Sequence, residues 1–254
     1  MARSIEQLVE RNVGLAAVRA RQSQRPGAGT ALAPRLPVVT VSREPGAGGT
    51  TIAGCVSRRL GFACWDQELL SRIASEKGLV ESVLAQVDER AGSSVHDFVR
   101  SLLVGDAYSQ DAYRTVLTKV VGSIALTGAA VIVGRGGHFI LGSERALRVR
   151  VVCDIEERIR RVAGRDRIST SDASRRVKEL DAHIRSFMKR HFNQDVTAPH
   201  HYDIIINSGT LEADAAARVV VSSYRAKFPD QVRESLSSRS LARADLDGNL
   251  AVPA

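Results

Sequence analysis

The chain has 254 residues, 44% hydrophobic and 25% charged, which suits a globular protein with one large α/β domain or two small ones. Its 36 basic and 28 acidic residues give a net charge of +8, which favours an anionic partner. Nucleotide is a better candidate than nucleic acid, because aromatics are only 4% of the chain. An arginine-rich surface without a ligand is the alternative. The three scattered cysteines argue against a disulfide scaffold or a zinc site.

The two ends of the chain are predicted to lie outside the folded domain. Residues 1–36 are predicted to form an N-terminal helix and a linker, and residues 229–254 a polar, disordered tail. No apolar run is long enough to cross a bilayer, and the N-terminus lacks a secretory signal. A cytoplasmic protein without membrane contact is therefore expected.

Between the ends, at residues 37–228, strand patterns alternate with helical ones. Short β-branched runs predict five buried strands, at 37–42, 62–65, 129–134, 147–153 and 202–207. Helical spacing predicts helices at 50–60, 66–76, 79–90, 94–104, 109–127, 155–166, 170–192 and 210–226. This order predicts a parallel sheet, with a helical insertion at about 75–127 that could build an acceptor pocket.

The most informative stretch is Pro-Gly-Ala-Gly-Gly-Thr-Thr at residues 45–51, after the first strand. A strand, a glycine-rich turn and a helix in this order point backbone N–H groups at a phosphate. The usual motif is G-x-x-x-x-G-K-[ST], but here Arg43 replaces the first glycine and Gly49 replaces the lysine. Backbone amides are expected to bind the phosphate, and Arg43 compensates for the lysine if its side chain turns toward the phosphates. A glycine-rich turn without a ligand is the alternative.

Five segments occur in an order that identifies a family. They are Val-Ser-Arg-Glu-Pro-Gly-Ala-Gly-Gly at 41–49, Leu-Gly-Phe-Ala-Cys-Trp-Asp-Gln-Glu-Leu-Leu at 60–70, Val-Ile-Val-Gly-Arg-Gly-Gly at 131–137, Val-Arg-Val-Val-Cys-Asp-Ile-Glu-Glu-Arg-Ile-Arg-Arg at 149–161 and Tyr-Asp-Ile-Ile-Ile-Asn-Ser-Gly at 202–209. Together they resemble the cytidylate kinase-like family, relatives of the P-loop nucleoside monophosphate kinases. The resemblance implies a three-layer P-loop NTPase fold with a five-stranded parallel sheet and a helical lid at about 158–192.

The resemblance also implies an activity and its ligands. The expected reaction transfers the γ-phosphoryl group of ATP, with Mg²⁺, to CMP, dCMP or a similar phosphorylated acceptor. The phosphate-binding residues would be Gly46, Ala47, Gly48, Gly49, Thr50 and Thr51. Thr50 is the candidate Mg²⁺ ligand, with Thr51 as the alternative, because the last motif position usually offers a hydroxyl to the metal.

Two residues that follow strands are candidates for the acceptor site. The resemblance places Asp66 beside the acceptor nucleotide, although an Asp here also suits the N-cap of a helix. Arg135 matches the Gly-Arg of the family, whose arginine meets the acceptor phosphate through a bidentate guanidinium. The alternative is a structural arginine that caps helix carbonyls. His138 is expected to pack or to form a turn rather than to act as a base.

Arginines are frequent in the predicted lid. Mobile guanidinium groups suit phosphoryl transfer, which depends on positioning and charge stabilisation. The resemblance suggests catalytic candidates in Arg161, Arg165, Arg167 and Arg185, without deciding which of them act, and Arg43 joins them. A solvated helix face with salt bridges is the alternative for most of these residues. At the end of the last strand, Asn207 and Ser208 lie where related kinases form an adenine pocket.

The loop departs from the family pattern in one more way. Members often carry an arginine where this chain has Thr50, so the loop is short of positive charge by either pattern. Loss of a positioned cation at a transferring phosphoryl group slows the reaction strongly. A second hypothesis therefore stays open, in which the protein is a nucleotide-binding regulatory module with little kinase activity.

Overall fold

The structure is a computed structural model, and it describes residues 36–75 and 112–231. The predicted helices at 79–90 and 94–104, most of the predicted insertion, and nearly all of both predicted ends lie outside the described residues. Within the described ranges, elements are numbered in chain order.

Five parallel strands form one sheet in the order β2-β3-β1-β4-β5. They are β1 Val38–Arg43, β2 Ala63–Trp65, β3 Ala130–Val133, β4 Ala146–Val152 and β5 Ile204–Asn207. The five predicted strands are confirmed, with ends that differ by one or two residues. β1 lies at the centre, so the loop that follows it emerges in the middle of the carboxyl edge of the sheet.

The described helices are α1 Gly49–Leu60, α2 Gln67–Ser75, α3 Ala112–Thr127, α4 Gly137–Arg145, α5 Ile155–Asp166, α6 Thr170–Phe192 and α7 Ala213–Lys227. A short 3-10 helix spans Pro199–His201. Helix α4 was not predicted from the sequence. It begins after Gly136 in a left-handed conformation, and it is interrupted by a non-helical Gly142.

Two apolar cores on opposite faces of the sheet give the predicted three layers. Alternating residues of β1 point to opposite faces. Val39 and Val41 join the core beneath α1 and α7, and Val38 joins the core beneath α2, α3, α4 and the end of α6. Because both faces are covered, the strands consist of the continuous β-branched runs that made them recognisable.

Helices α5 and α6 pack against each other through a small cluster of Val162, Ala173 and Val177. This helical pair occupies the predicted lid, and the closing movement of a lid stays a prediction. In the described ranges, no helix has the length and apolar character that a membrane span requires.

His138 is a packing residue, as expected, and it lies buried in α4. Its ring centroid lies 3.9 Å from that of Phe139 and 5.0 Å from that of Tyr202. Among the described residues, its Nε2 finds no hydrogen-bond partner. Burial, reinforced by His201, Arg150 and Arg148, lowers the pKa of His138 to about 3. The ring is therefore neutral in the folded protein at neutral pH.

We expect His138 to make the protein acid-sensitive. The unfolded chain protonates this histidine below about pH 6.5 and the folded chain does not, so stability falls as the pH drops from there toward 3. Between about pH 7 and about pH 5 the loss from this group should be about 2 kcal/mol. In urea unfolding, His138→Phe should remove that part of the loss, whereas His200→Asn, at an exposed histidine, should not. Equal pH slopes for wild type and His138→Phe would contradict this.

Candidate active site

A glycine-rich loop, residues 44–48, joins β1 to α1. Gly46 and Gly48 have φ angles of 82° and 73°, a left-handed conformation that glycine adopts easily. Gly48 caps α1 without a side-chain hydrogen bond. The capping residue of α1 therefore supplies no side-chain acceptor to the first amides of the helix, which include those of Thr50 and Thr51 and lie at its positive end. This arrangement suits a bound phosphate.

The two sides of the loop differ in how closely other atoms approach. A Cβ at Gly46 would lie 2.7 Å from the carbonyl oxygen of Arg158, and one at Gly49 would collide with Arg43. At the exposed Gly48, by contrast, the nearest atom would be Arg161 Nη1 at 3.7 Å. The loop is thus tightly packed at Gly46 and Gly49, which we call its back. It is open at Gly48, which we call its front, and the guanidinium of Arg161 lies there.

Of the four lid arginines predicted to be catalytic, Arg161 is the one that the structure places beside this loop. Its Nε donates to Glu157 Oε1 at 2.6 Å, and its Nη2 donates to the carbonyl oxygen of Ser208 at 2.8 Å. The buried Ser208 hydroxyl donates in turn to the carbonyl oxygen of Ala47 at 2.6 Å. Arg161 is therefore oriented by the end of β5, and 35% of its side chain remains exposed beside the loop.

The other three predicted lid arginines have different surroundings. Arg165 is largely exposed and pairs with Asp166 at 2.7 Å. Arg167 ends α5 in a left-handed conformation, and Arg185 is exposed on α6. The contacts described at the loop do not include these three residues, and their catalytic roles stay predictions.

Arg43, at the end of β1, turns toward the end of β3. Its side chain passes over Gly49, and its Nη1 lies 2.9 Å from the position of a Cβ at Gly134. Burial lowers the pKa of Arg43, the charge of Arg135 lowers it further, and Asp66 partly opposes both effects. The positive charges of Arg43 and Arg135 therefore repel each other on this side of the loop.

These two arginines lie in a cleft between β1, β3, α2 and α6. The cleft is lined by Ser42, Arg43, Gln67, Gly134, Arg135, His183, Ile184, Phe187 and Met188. Arg135 has a φ of 50°, donates from Nε to Ser71 Oγ at 2.7 Å, and lies over the Phe187 ring, 5.0 Å from its centroid. Neither contact caps a helix carbonyl, so these contacts do not support the structural alternative for Arg135.

Asp66 is the N-cap of α2, because its Oδ1 accepts from the backbone N–H of Leu69 at 2.9 Å. The capping role is therefore confirmed. The residue is also exposed, and it acts electrostatically on Arg43. Its role beside the acceptor nucleotide stays a prediction, and capping does not conflict with it.

Sequence reasoning missed two parts of the site. The first is the α6 wall of the cleft, where Ile184, Phe187 and Met188 follow helical spacing that signalled only a buried face. The second is Arg158, which the sequence did not distinguish from the other arginines of its helix. The structure places it almost wholly out of solvent behind the loop.

The close contact behind the loop predicts unequal costs for two substitutions. Gly46→Ala meets both positive φ and a backbone carbonyl, so the free energy of unfolding should fall by about 2 kcal/mol or more. Gly48→Ala, with similar φ but open space, should lose only about 1 kcal/mol. Urea unfolding of both variants checks this, and equal losses would show that the approach of Arg158 is not restrictive.

Comparison with known proteins supports the relationship that the motifs indicate. The profile of the cytidylate kinase-like family matches residues 38–210. The cytidylate kinase of Methanothrix thermoacetophila is 25% identical over 191 residues, which cover 74% of this chain and 98% of that protein. The cytidylate kinase of Archaeoglobus fulgidus is 23% identical over 193 residues, with coverages of 74% and 95%.

A solved structure adds evidence on the fold alone. The crystal structure of an uncharacterized protein from Eubacterium ventriosum ATCC 27560 matches with a TM-score of 0.59 and 19% sequence identity, and covers 76% of this chain and 99% of that chain. The family profile spans the sheet, the glycine-rich loop and the described cleft. On that match, the chain belongs to the cytidylate kinase-like family.

Proposed function

We propose that this protein is a nucleoside monophosphate kinase that transfers the γ-phosphoryl group of ATP to CMP, dCMP or a similar phosphorylated acceptor. The observation that carries the proposal is the pair of cationic sites around one loop. Arg161 stands in front of the α1 N-terminus, and Arg43 and Arg135 stand together in the cleft on the β3 side. A kinase needs two such sites, one for each phosphorylated substrate.

The donor triphosphate would bind at the front of the loop. The backbone from Gly46 to Thr51 would hold the phosphates, and Arg161 would supply the charge that the motif lysine usually supplies. The residues fit this role, because α1 has no side-chain cap and Gly48 leaves open space beneath Arg161.

Mg²⁺ would neutralise phosphate charge when bound. The exposed Thr50 hydroxyl is the residue we assign to hold it. Within residues 36–75 and 112–231, no group of three or more His, Cys, Asp or Glu side chains could hold a metal ion. A magnesium ion here would therefore take most of its ligands from phosphate and water, as is usual for this metal in kinases.

The acceptor would place its phosphate between Arg43 and Arg135. The charge of Arg135 lowers the pKa of Arg43, and a bound dianion would relieve this repulsion. Asp66, which precedes the cleft-lining Gln67, and the Phe187 ring on α6 would contact the rest of the acceptor. The acceptor phosphate is itself the nucleophile, so the protein contributes alignment and charge stabilisation rather than a general base.

The regulatory module is the second candidate, and one observation favours it. Arg161 already donates to Glu157 and Ser208, so part of its hydrogen-bonding capacity is used before any phosphate arrives. Under this alternative, the loop binds nucleotide but stabilises the transferring phosphoryl group too weakly for useful turnover.

A purified-protein assay for ADP tests the kinase. ADP should form from ATP only when CMP, dCMP or a related monophosphate is added. Arg43→Ala and Arg135→Ala should each raise the acceptor KM about tenfold or more, because each removes charged hydrogen bonds, and ATP KM should change little. Arg59→Ala, at an exposed arginine paired with Asp214, is the control. Unchanged turnover in both cleft variants would refute the assigned acceptor site.

Calorimetry with ATP and Mg²⁺ tests the donor site and separates the two candidates. Arg161→Gln should weaken ATP binding about tenfold, whereas Arg175→Gln, at an exposed arginine of α6 paired with Asp172, should have no effect. Binding without monophosphate-dependent turnover would favour the regulatory module. If the folded wild-type protein takes up neither ATP nor GTP with Mg²⁺, both candidates fail.

A further inference from the structure

Arg158 is a buried cation that the proposed reaction does not use. It lies in the first turns of α5, and its residue is 6% exposed. Its guanidinium forms a bidentate pair with Asp181 in the middle of α6, with Nη1 3.0 Å from Oδ1 and Nη2 3.0 Å from Oδ2. Paired, buried geometry of this kind is more restrictive than a surface ion pair.

The same guanidinium also holds the glycine-rich loop. Its Nη1 donates to the carbonyl oxygen of Pro45 at 3.3 Å, and its Nε lies 3.6 Å from Glu44 Oε2. Glu44 Oε2 accepts from the backbone N–H of Cys153 at 3.1 Å, which fixes this carboxylate to the end of β4. Glu44 Oε1 is 3.4 Å from Arg150 Nη2. Arg158 is thus joined to the loop by one hydrogen bond to a backbone carbonyl and by an ion pair with Glu44 that is too long for a hydrogen bond.

Helix α6 leads from this contact directly to the cleft. His183 and Ile184 follow Asp181 within one turn, and Phe187 and Met188 follow on the next, and all four line the cleft. Because a helix is stiff over two turns, the position of Asp181 determines where this wall stands. One buried guanidinium therefore lies between the loop and the wall of the cleft.

Other ion pairs of α5 and α6 are poorly suited to this role. The Arg165–Asp166 and Arg175–Asp172 pairs have arginine side chains that are 63% and 68% exposed. Exposed pairs are screened by water and contribute little to a fixed geometry. The Arg158 side chain, in contrast, is 8% exposed and that of Asp181 is 17% exposed.

We propose that Glu44, Arg158 and Asp181 form a positioning network that fixes the α6 wall of the cleft relative to the glycine-rich loop. The network couples the two substrate sites, because a shift of the loop on nucleotide binding is transmitted through Arg158 to α6. None of the three residues needs to touch substrate. The proposal rests on the proposed function for the identity of the two sites, but not for the mechanical connection.

Asp181→Asn tests the network in the active enzyme, because it keeps the shape of the side chain and removes its charge. The acceptor KM should rise about fivefold. The ATP KM should rise less, by about twofold, because Arg158 keeps its own contacts with Pro45 and Glu44 in the loop. Asp214→Asn is the control for the substitution itself, since it also weakens a bidentate pair between two helices, here α7 and α1, at an exposed position away from the cleft. A fall in kcat alone, or equal changes in both KM values, would overturn the positioning role.

Hydrogen exchange of the ligand-free protein tests the same connection without nucleotide. Asp181→Asn should speed exchange of loop amides 46–52 about fivefold, although the substitution is on α6. Glu44→Gln should conversely speed exchange at 182–188. Amides of β1 and β4 should not change in either variant, and Asp214→Asn should affect neither segment.

The outcomes of the two experiments are distinguishable. If the wild-type protein binds no nucleotide, the proposed function fails, while the exchange experiment still decides whether the network exists. If Asp181→Asn does not fold, Glu44→Gln carries the exchange test. Loop amides that exchange as in wild type in Asp181→Asn, or α6 amides that do so in Glu44→Gln, would overturn the proposal.

Discussion

The close approach of α5 to the glycine-rich loop is the constraint on which the site depends. At Gly46 the backbone carbonyl of Arg158 lies too near for any side chain. That approach aligns α5 so that Arg158 supports the loop from behind and Arg161, three residues later on the same helix, reaches its front. A single helix thus provides a structural guanidinium and a candidate functional one.

In this arrangement, a guanidinium from another part of the chain is available where the motif lysine is missing. A lysine of the usual motif would belong to the same glycine-rich loop as the backbone amides that bind phosphate, so charge and amides would come from one segment. Under the proposed function the charge comes instead from Arg161 on α5, whose guanidinium donates to the carbonyl oxygen of Ser208 at the end of β5, and the Ser208 hydroxyl also bonds the loop carbonyl of Ala47. A guanidinium held in this way presents fixed, directional donors, whereas an ammonium is a compact point charge. Some of these donors, however, already form hydrogen bonds with Glu157 and Ser208.

The arginines of this chain divide by environment rather than by position in the sequence. Several on α5 and α6 are solvated and form short-range pairs with acidic neighbours, as Arg165 and Arg175 do. Such pairs explain part of the charge without any ligand. The remaining ones relevant to the site, Arg43, Arg135 and Arg161, lie at the carboxyl edge of the sheet, where open α/β folds bind ligands. The net charge of +8 therefore indicated an anionic partner but not its location.

Local patterns in the sequence determined the parallel sheet, the loop and most helices, since β-branched runs, glycine at positive φ and helical spacing act over a few residues. The N-cap role of Asp66 was accessible for the same reason. Helix α4 could not be predicted from local patterns, because its glycines carry no helical signal and its start depends on the packing of Gly136 against Phe192. Arg158 and Arg161 have the same side chain and neighbouring positions on one helix, so only the packing of α5 between the loop and α6 separates them. Likewise, only the tertiary structure turned Arg43 toward Arg135, because the direction of a long side chain at a strand end is set by neighbours from distant parts of the chain.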